Sequence, residues 1–257
     1  MLENILPKSV QNILIEIWGT INFAGKYFKE VLKPPYEFNE QLRQFFEIGY
    51  KSLGLVSITG FIIGFVLALQ AIPTLQPFGA TGLIPAMISI GIVREIGPVI
   101  TGLICAGKIG SGIGAEIGSM KVTEQIDAME VSACNPFKYL VITRITATTL
   151  MIPLLIIYAD TIALLGGYIA LNIVSDTSLQ VYFSRVFDTI GFEDVVPATI
   201  KTFFFGFTIG VVGCYKGYTA DKGTASVGIA ANTSVVISSL MVIIWDMIAV
   251  QVTNLLF

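Results

Sequence analysis

Residues 88–131 read ISIGIVREIGPVITGLICAGKIGSGIGAEIGSMKVTEQIDAMEV. The charged pair Arg94-Glu95 lies within an otherwise apolar stretch that is long enough to cross a bilayer. Ionisable groups are costly at membrane depth, so they usually face a cavity, a partner or each other. The stretch ends in a short, acidic, amphipathic segment. We therefore predict that this one span joins a polar interior site to a helix outside the membrane.

The composition indicates a membrane protein. The 257 residues are 54% hydrophobic and 13% charged, and the mean hydropathy is +0.79. Soluble domains carry roughly 25% charged residues. The formal net charge is -3 and there is no basic cluster, so nothing indicates a nucleic-acid partner. We predict an all-α polytopic membrane protein.

Few residues suit covalent chemistry. There is no histidine, and Cys105, Cys134 and Cys214 lack the paired spacing of a disulfide framework or a zinc site. The segment GLICAGK at 102–108 imitates a phosphate-binding loop. However, no strand precedes it, and Ile109 stands where that loop needs Ser or Thr. We expect no catalytic residue, metal site or cofactor in this chain.

Length and apolarity predict five transmembrane helices. Their approximate ranges are 53–75, 83–117, 139–173, 195–215 and 227–257. The second and third are long enough to tilt or to extend beyond the bilayer. Residues 1–51 are then an N-terminal interfacial segment, and residues 52–257 form one transmembrane domain.

The N-terminal segment is amphipathic. Apolar residues recur at helical spacing between Ser9 and Leu32, namely at Ile13, Ile17, Trp18, Ile21, Ala24, Phe28 and Val31. This pattern predicts a helix lying in the membrane interface. The alternative is a helix packed on the cytoplasmic face of the protein itself. Pro34-Pro35 ends the helix, and a second amphipathic piece at 38–51 leads into the first span.

Basic residues predict the orientation. The N-terminal segment, the loop between spans two and three, and the loop between spans four and five hold most of the Lys and Arg. The connection between spans three and four has only Arg185, beside four acidic residues. The positive-inside rule puts the first three regions in the cytoplasm and the last one outside. Five spans then leave the N-terminus cytoplasmic and the C-terminus outside.

Small residues form a stripe along span two. They are spaced four apart, at Ala106, Gly110, Gly114 and Gly118. Spans one and four repeat the spacing at Gly60 and Gly64 and at Gly206 and Gly210. Such stripes let another helix approach closely, so we interpret these glycines as packing surfaces.

The intramembrane charges indicate an interior site. Arg94 and Glu95 point about 100° apart on a helix, so each needs its own neighbour or water. We interpret the pair as lining a cavity. Asp246 in span five, Lys201 near the outer end of span four and Asp160 in span three are also charged. For Asp246 and Asp160 an inter-helix salt-bridge network, for example Arg94 with Asp246, is an equally weighted interpretation.

The acidic segment after span two has a helical periodicity. In MKVTEQIDAMEV, residues 120–131, one face holds Met120, Thr123, Ile126 and Met129, and the acidic positions are Glu124, Asp127 and Glu130. A short cytoplasmic helix of this kind suits docking in a partner's groove; the alternative is an ordinary loop helix. Glu116 and Lys108, near the cytoplasmic end of span two, are interpreted as interfacial anchors.

Residues 92–131 resemble the signature of the MlaE-type (YrbE) permease family, the membrane subunits of ABC systems that move lipids between the membranes of Gram-negative bacteria and in plastids. The resemblance extends upstream through QFFEIGYKSLGLVSITGFIIGFVLALQ and downstream through GYTADKGTASVGIAANTSVVISSLMVIIWDMIAV. It covers roughly residues 42–257. The N-terminal segment matches only in general character.

The resemblance implies an assembly. It would comprise a homodimer of this chain, two copies of a separate cytoplasmic ATPase that binds ATP and Mg²⁺, and a periplasmic partner with an MCE domain. Lipid, as phospholipid, would occupy an outward-facing pocket at the dimer interface. The chain would lie in a bacterial inner membrane with its C-terminus in the periplasm, and the lack of a transit peptide favours this over a plastid envelope.

The resemblance also implies residue roles. Arg94 and Glu95 match the charged pair of the family's REXGP motif beside the pocket, and Gln70, preceded by Leu69, matches a position near its mouth. The segment that meets the ATPase matches Lys121, Thr123, Glu124, Gln125, Asp127 and Glu130. Cys105, Lys108 and Ser111 vary within the glycine-rich helix. The loop 175–194 shows no recognisable motif.

We therefore expect the permease subunit of an ABC-type lipid transporter, with ATP hydrolysis in a partner chain. The alternatives are a secondary transporter of a small amphipathic substrate and a non-transporting membrane scaffold. A secondary transporter usually has paired inverted halves, and no repeat is visible here. An intramembrane enzyme would have only carboxylates such as Asp160 and Asp246 to work with.

Overall fold

The computed structural model describes residues 8–256, and in that range the chain is helical without a strand. Residues 1–7, at the start of the predicted N-terminal segment, and Phe257, at the end of the predicted fifth span, lie outside the described part. So do the side chains of Lys8, Ser9, Val10, Asn12, Ile13 and Leu256. The α-helices are α1 (Lys8–Glu30), α2 (Phe38–Ile48), α3 (Leu53–Leu75), α4 (Ile84–Gly91), α5 (Gly97–Cys105), α6 (Ser111–Val122), α7 (Gln125–Val131), α8 (Thr143–Ser175), α9 (Leu179–Thr189), α10 (Phe192–Tyr218) and α11 (Thr224–Leu256).

Five helical stretches are long and apolar enough to cross a membrane. They are Phe38–Phe78, Thr81–Val122, Phe137–Ser175, Phe192–Tyr218 and Thr224–Leu255. This confirms the predicted all-α polytopic fold. The first stretch begins earlier than predicted because α2 runs into α3 through a single short turn, Tyr50–Ser52.

Span two is not one regular α-helix. Two π-helical turns, Ile92–Ile96 and Ala106–Gly110, separate α4, α5 and α6. Such turns occur mostly as short bulges inside helices and frequently at functional sites. Pro98 lies in the first turn of α5, where its missing N–H leaves the carbonyl four residues earlier without its helical donor. The Arg94-Glu95 pair therefore sits on a locally rewound stretch.

Glycines let the spans approach backbone to backbone. A Cβ on Gly60 would lie 2.8 Å from the carbonyl oxygen of Ala159, and one on Gly64 would overlap the carbonyl of Ala163. Gly206 faces the Thr148 carbonyl in the same way, at 2.5 Å. Helix α8 is thus held between α3 and α10 at distances that no larger residue permits.

The glycine stripe of span two faces α11 and α10. The Ser234 hydroxyl donates to the Gly110 carbonyl at 2.9 Å, and a Cβ on Gly114 would lie 3.1 Å from the Ala230 carbonyl. Gly118 lies near Ala220 and Ala230.

The connection between spans three and four contains a helix for which we predicted no structure. Helix α9 folds back against α4, with Tyr182 and Val186 fully buried. The Ser178 hydroxyl accepts a hydrogen bond from the Val181 N–H and caps its N-terminus. Its exposed face carries Phe187, so α9 brings an apolar surface to one end of the spans.

Helix α1 packs on the protein by one face only. Phe23 meets Phe137 edge-on, with ring centroids 5.2 Å apart, and the Tyr27 hydroxyl lies 3.0 Å from the Thr146 hydroxyl. Trp18 and Ile21 are exposed. The helix thus contacts the spans and presents a second apolar face, and its position in a membrane interface stays a prediction.

The glycine contacts predict an asymmetric response to added methyl groups. Gly64→Ala forces α3 away from α8, because the added methyl group overlaps the Ala163 carbonyl. Overpacking of this kind costs about 1–3 kcal/mol of stability. Gly54→Ala on the same helix meets nothing within 4 Å and gains up to about 1 kcal/mol in helix propensity. In thermal unfolding of the detergent-purified protein, the midpoint falls for Gly64→Ala and holds or rises for Gly54→Ala. Equal midpoints would contradict the packing described here.

Candidate functional site

Lys201 is the centre of a buried ion cluster. Its side chain is 5% exposed, and its ammonium donates to the Arg94 carbonyl at 2.6 Å, to Glu95 Oε2 at 3.1 Å and to Asp246 Oδ1 at 2.7 Å. An ammonium has three donors, so each of them is used. Helices α10 and α11 and span two are therefore tied together at one point.

Pro98 explains why the Arg94 carbonyl is available. In a regular helix that carbonyl would accept from the N–H four residues later, and Pro98 has no N–H. The Lys201 ammonium donates to it instead. The spacing of Arg94, Glu95 and Pro98 in the REIGP segment thus supplies two acceptors, one backbone and one carboxylate, to the same lysine.

Arg94 points to a different neighbour. Its Nε lies 3.4 Å from Asp194 Oδ1 at the start of α10, and its side chain is 43% exposed. The suggested pairing of Arg94 with Asp246 is wrong, since Asp246 pairs with Lys201. Adjacent residues on a helix point in different directions, so Arg94 contacts Asp194 at the start of α10, while Glu95 contacts Lys201 about two turns further along α10, where Asp246 of α11 also binds.

The cluster carries more negative than positive groups. Two cations, Arg94 and Lys201, pair with three carboxylates, those of Glu95, Asp194 and Asp246. Lys201 pairs with two carboxylates, whereas the guanidinium of Arg94 has one carboxylate contact, at 3.4 Å. Arg94 thus retains donors for a ligand.

A large apolar cavity adjoins the cluster. Its volume is about 640 Å³, and apolar side chains of α10 and α11 line it, including Ile200, Phe204, Trp245 and Ile248. We call it the cluster cavity. It shares Lys201 and four other residues with a small polar recess that contains Arg94 and Glu95. Ligand sites in proteins are of this kind, apolar with a few convergent polar groups.

A second cavity lies on the other face of α10. It has a volume of about 460 Å³, and Asp160, Thr161 and Thr199 are among its few polar lining residues. We call it the Asp160 cavity. Leu69 and Gln70, predicted near the pocket mouth, line neither of these two cavities; both are exposed on α3.

The predicted coupling helix is shorter than residues 120–131. Span two continues to Val122, Glu124 adopts a left-handed conformation with φ of 58°, and α7 begins only at Gln125. The two parts are linked by Lys121, whose ammonium lies 3.0 Å from Asp127 Oδ1. Thr123 bonds back to the Ser119 carbonyl at 2.8 Å. The continuous periodicity from Met120 hid this break.

Helix α7 presents its charges outward. Ile126 is buried and fixes the helix to the core. Glu124, Asp127 and Glu130 are exposed together with Gln125. The geometry therefore separates an apolar anchor from an acidic surface that is open to a partner.

Sequence reasoning missed an ion pair beside α7 that joins a buried arginine to a half-exposed glutamate. Arg144 is fully buried and pairs with Glu116 at 2.8 Å, and it donates to the Leu140 carbonyl at 3.0 Å. The interpretation of Glu116 as an interfacial anchor did not include this pairing. Asp194 was missed as a partner of Arg94 because the acidic loop residues were used only to predict orientation.

Five membrane-spanning helices, a buried ion cluster beside an apolar cavity, and an outward-facing acidic helix define a polytopic membrane protein with an interior polar site. The family described as Permease MlaE matches residues 41–252. The chain belongs to this family and is an ABC transporter permease.

Relatives agree with this assignment. A probable ABC transporter permease of Rickettsia typhi is 37% identical over 243 residues, 95% of this chain and 92% of that protein. One from Synechocystis is 31% identical over 221 residues, 86% of this chain and 84% of its own. The chloroplastic protein TRIGALACTOSYLDIACYLGLYCEROL 1 of Arabidopsis thaliana is 29% identical over 249 residues, 96% of this chain and 71% of its own.

The cluster predicts strong coupling between its members. Lys201→Met leaves Glu95 and Asp246 without their cation, and breaking a buried ion pair costs about 3–5 kcal/mol. Because the Glu95 side chain is 44% exposed, we expect the lower end of that range. Adding Asp246→Asn recovers part of the loss, since the two effects are not additive.

Thermal midpoints of the wild type, both single variants and the double variant measure this coupling. Lys51→Met is the matched control: it removes a lysine from an exposed pair with Glu47, which is worth at most about 1 kcal/mol. Strictly additive midpoints for Lys201 and Asp246 would show that the two residues are not coupled.

Proposed function

We propose that this chain is the permease subunit of an ABC-type transporter that moves phospholipid between the inner and outer membranes. The observation that carries the proposal is the ion cluster at the edge of a large apolar cavity. A phospholipid needs both, a polar contact for its head group and apolar volume for its acyl chains. The name of the Arabidopsis relative, which is that of a glycerolipid, supports lipid as the substrate class.

Arg94 is the proposed contact for the lipid phosphate. Its side chain is half-exposed, and its Nε lies 3.4 Å from the Asp194 carboxylate. A guanidinium has five N–H donors and binds phosphate oxygens in pairs, so Arg94 has donors to spare. Glu95 acts on Lys201, because their atoms lie 3.1 Å apart, and so keeps that ammonium from competing for the phosphate.

The family and the outward acidic face of α7 support a proposed assembly. Two copies of this chain form the permease, a separate ATPase binds ATP and Mg²⁺ on the cytoplasmic side, and an MCE-domain protein adjoins the periplasmic side. The N-terminus is cytoplasmic and the C-terminus periplasmic, in the inner membrane. This chain contributes no ATP hydrolysis and no cofactor.

Transport in this scheme is a change of packing. Closure of the ATPase pushes α7, and α7 moves span two because Lys121 and Asp127 link α7 to the end of α6. Gly110, Gly114 and Gly118 let span two slide against α11. Such a transition needs two packings of similar energy, and contacts between small residues keep the barrier low.

Replacing Glu95 tests the proposed site. Glu95→Gln keeps Lys201 paired with Asp246 and with the Arg94 carbonyl, so the complex still assembles. Glutamine keeps an oxygen acceptor but loses the negative charge, so the Lys201 ammonium is less neutralised and competes for the phosphate. We expect ATP-dependent phospholipid transfer to fall by about tenfold, the usual size of one charged hydrogen bond. Transfer between labelled vesicles measures this, with Glu47→Gln as the control. Wild-type transfer by Glu95→Gln would remove the pair from the mechanism.

Charge reversal on α7 tests the ATPase contact. Glu124→Lys with Asp127→Lys puts two cations on the exposed face and breaks the pair with Lys121. We expect loss of the ATPase from the purified complex while this chain remains folded. Asp188→Lys, a charge reversal on α9 at the opposite end, retains the ATPase.

Two other results would favour the alternative functions. Ion-driven lipid transport by this chain alone would favour a secondary transporter. Lack of any lipid transfer would favour a non-transporting scaffold.

A further inference from the structure

Asp160 is a carboxylate that the transport scheme does not use. It lies on α8 beside span two, and its Oδ1 is buried without a hydrogen-bond partner among the described residues. The contact with span two is so close that a Cβ on Gly97 would overlap Oδ1. Gly97 is two residues from Glu95 on span two. Asp160, which contacts Gly97, therefore lies at the level of the ion cluster.

No described donor bonds Asp160 Oδ1, and the donors that follow bond elsewhere. Lys201, the closest cation, uses its three protons on Arg94, Glu95 and Asp246. The Thr161 hydroxyl donates to the Ile157 carbonyl at 2.9 Å, and the Thr202 hydroxyl to the Thr199 carbonyl at 2.6 Å. A buried acceptor without a donor costs about 1–3 kcal/mol, and more if it is charged. A donor from outside the chain would remove that cost.

The Asp160 cavity has the form of a lipid site. Its volume of about 460 Å³ is within the range of small-molecule pockets. Its rim is formed by exposed apolar side chains, those of Ile157, Phe187 and Phe192. Such a rim offers no polar contacts to a water-soluble ligand, whereas an acyl chain can pack against it.

Helix α10 separates this cavity from the cluster cavity. Val195, Ala198, Thr199 and Thr202 face the Asp160 cavity, while Val196, Pro197, Ile200, Lys201 and Phe204 face the cluster cavity. The two sets alternate with helical periodicity, and Phe192 lines both cavities. One half-helix thus has an apolar compartment on each side, and each compartment has its own polar group.

We propose that the Asp160 cavity is a second lipid-binding site, specific for head groups with a primary ammonium. This inference rests on the proposed lipid-transport function and adds a head-group preference to it. An ammonium supplies both the positive charge and the N–H donors that a buried carboxylate needs. A quaternary trimethylammonium head group has no N–H and leaves Oδ1 unsatisfied. The cluster cavity, whose adjoining recess holds Arg94 as the proposed phosphate contact, makes no such distinction.

Photoreactive lipids test this site. Two probes, phosphatidylethanolamine and phosphatidylcholine with the same diazirine-bearing acyl chain, are incorporated into vesicles that contain the complete complex. Labelled residues are then mapped by mass spectrometry. We expect the ethanolamine probe to label Ile157 or Phe187 at least about tenfold more than the choline probe does. Both probes label Phe204 or Trp245 equally.

Two variants separate charge from shape. Asp160→Asn keeps the size of the side chain and loses the charge, and Asp160→Leu loses both polar oxygens; each abolishes the ethanolamine preference at Ile157 and Phe187. Labelling at Phe204 and Trp245 is the internal control for folding. Asp188→Asn, an exposed carboxylate on α9 outside the cavity, keeps the wild-type pattern.

Several results would overturn the proposal. Absence of labelling at Ile157 and Phe187 in the wild type, an equal response to both probes there, or a wild-type pattern in Asp160→Asn would each do so. The transfer assay is independent of these outcomes. Preserved transfer with no Asp160-dependent labelling contradicts the second site alone, and Asp160-dependent labelling without ATP-driven transfer contradicts the transport function alone.

Discussion

The ammonium of Lys201, buried among three acceptors, is the interaction on which the site depends. An isolated charge at this depth would be costly, and it is tolerated because three donors meet three acceptors on two other spans. One acceptor exists because Pro98 cannot donate to the Arg94 carbonyl. The lysine thus fixes the register of span two, α10 and α11, and it leaves Arg94 turned toward the recess.

The remaining structure holds this ion cluster beside a large apolar cavity, on the same helical stretch that leads to the acidic helix α7. Glycines bring α8 within backbone contact of α3 and α10, so these three helices are closely packed. Span two lies against α11 by its small residues and ends in the turn at Glu124, beyond which α7 begins. The polar site and the acidic surface are therefore connected by a single helical stretch, span two.

Much of the fold could be predicted from the sequence, because a membrane span needs about 20 apolar residues and the chain contains five such runs. The glycine stripes could be recognised from their spacing of four. The partners of the charges could not. Whether Asp246 meets Arg94 or Lys201 depends on the rotation of three helices about their axes, which hydropathy does not encode. The left-handed Glu124 was hidden by a periodicity that continued across it, and helix α9 lacked a span-length apolar run.

The central claim is that the ion cluster and its cavity receive the lipid. A density map of the assembled complex in lipid nanodiscs tests it most directly. The account predicts lipid density with its phosphate against Arg94 and an acyl chain along Phe204 and Trp245. A map in which protein side chains fill that cavity, with ordered lipid only on the outer surface of the spans, would contradict it.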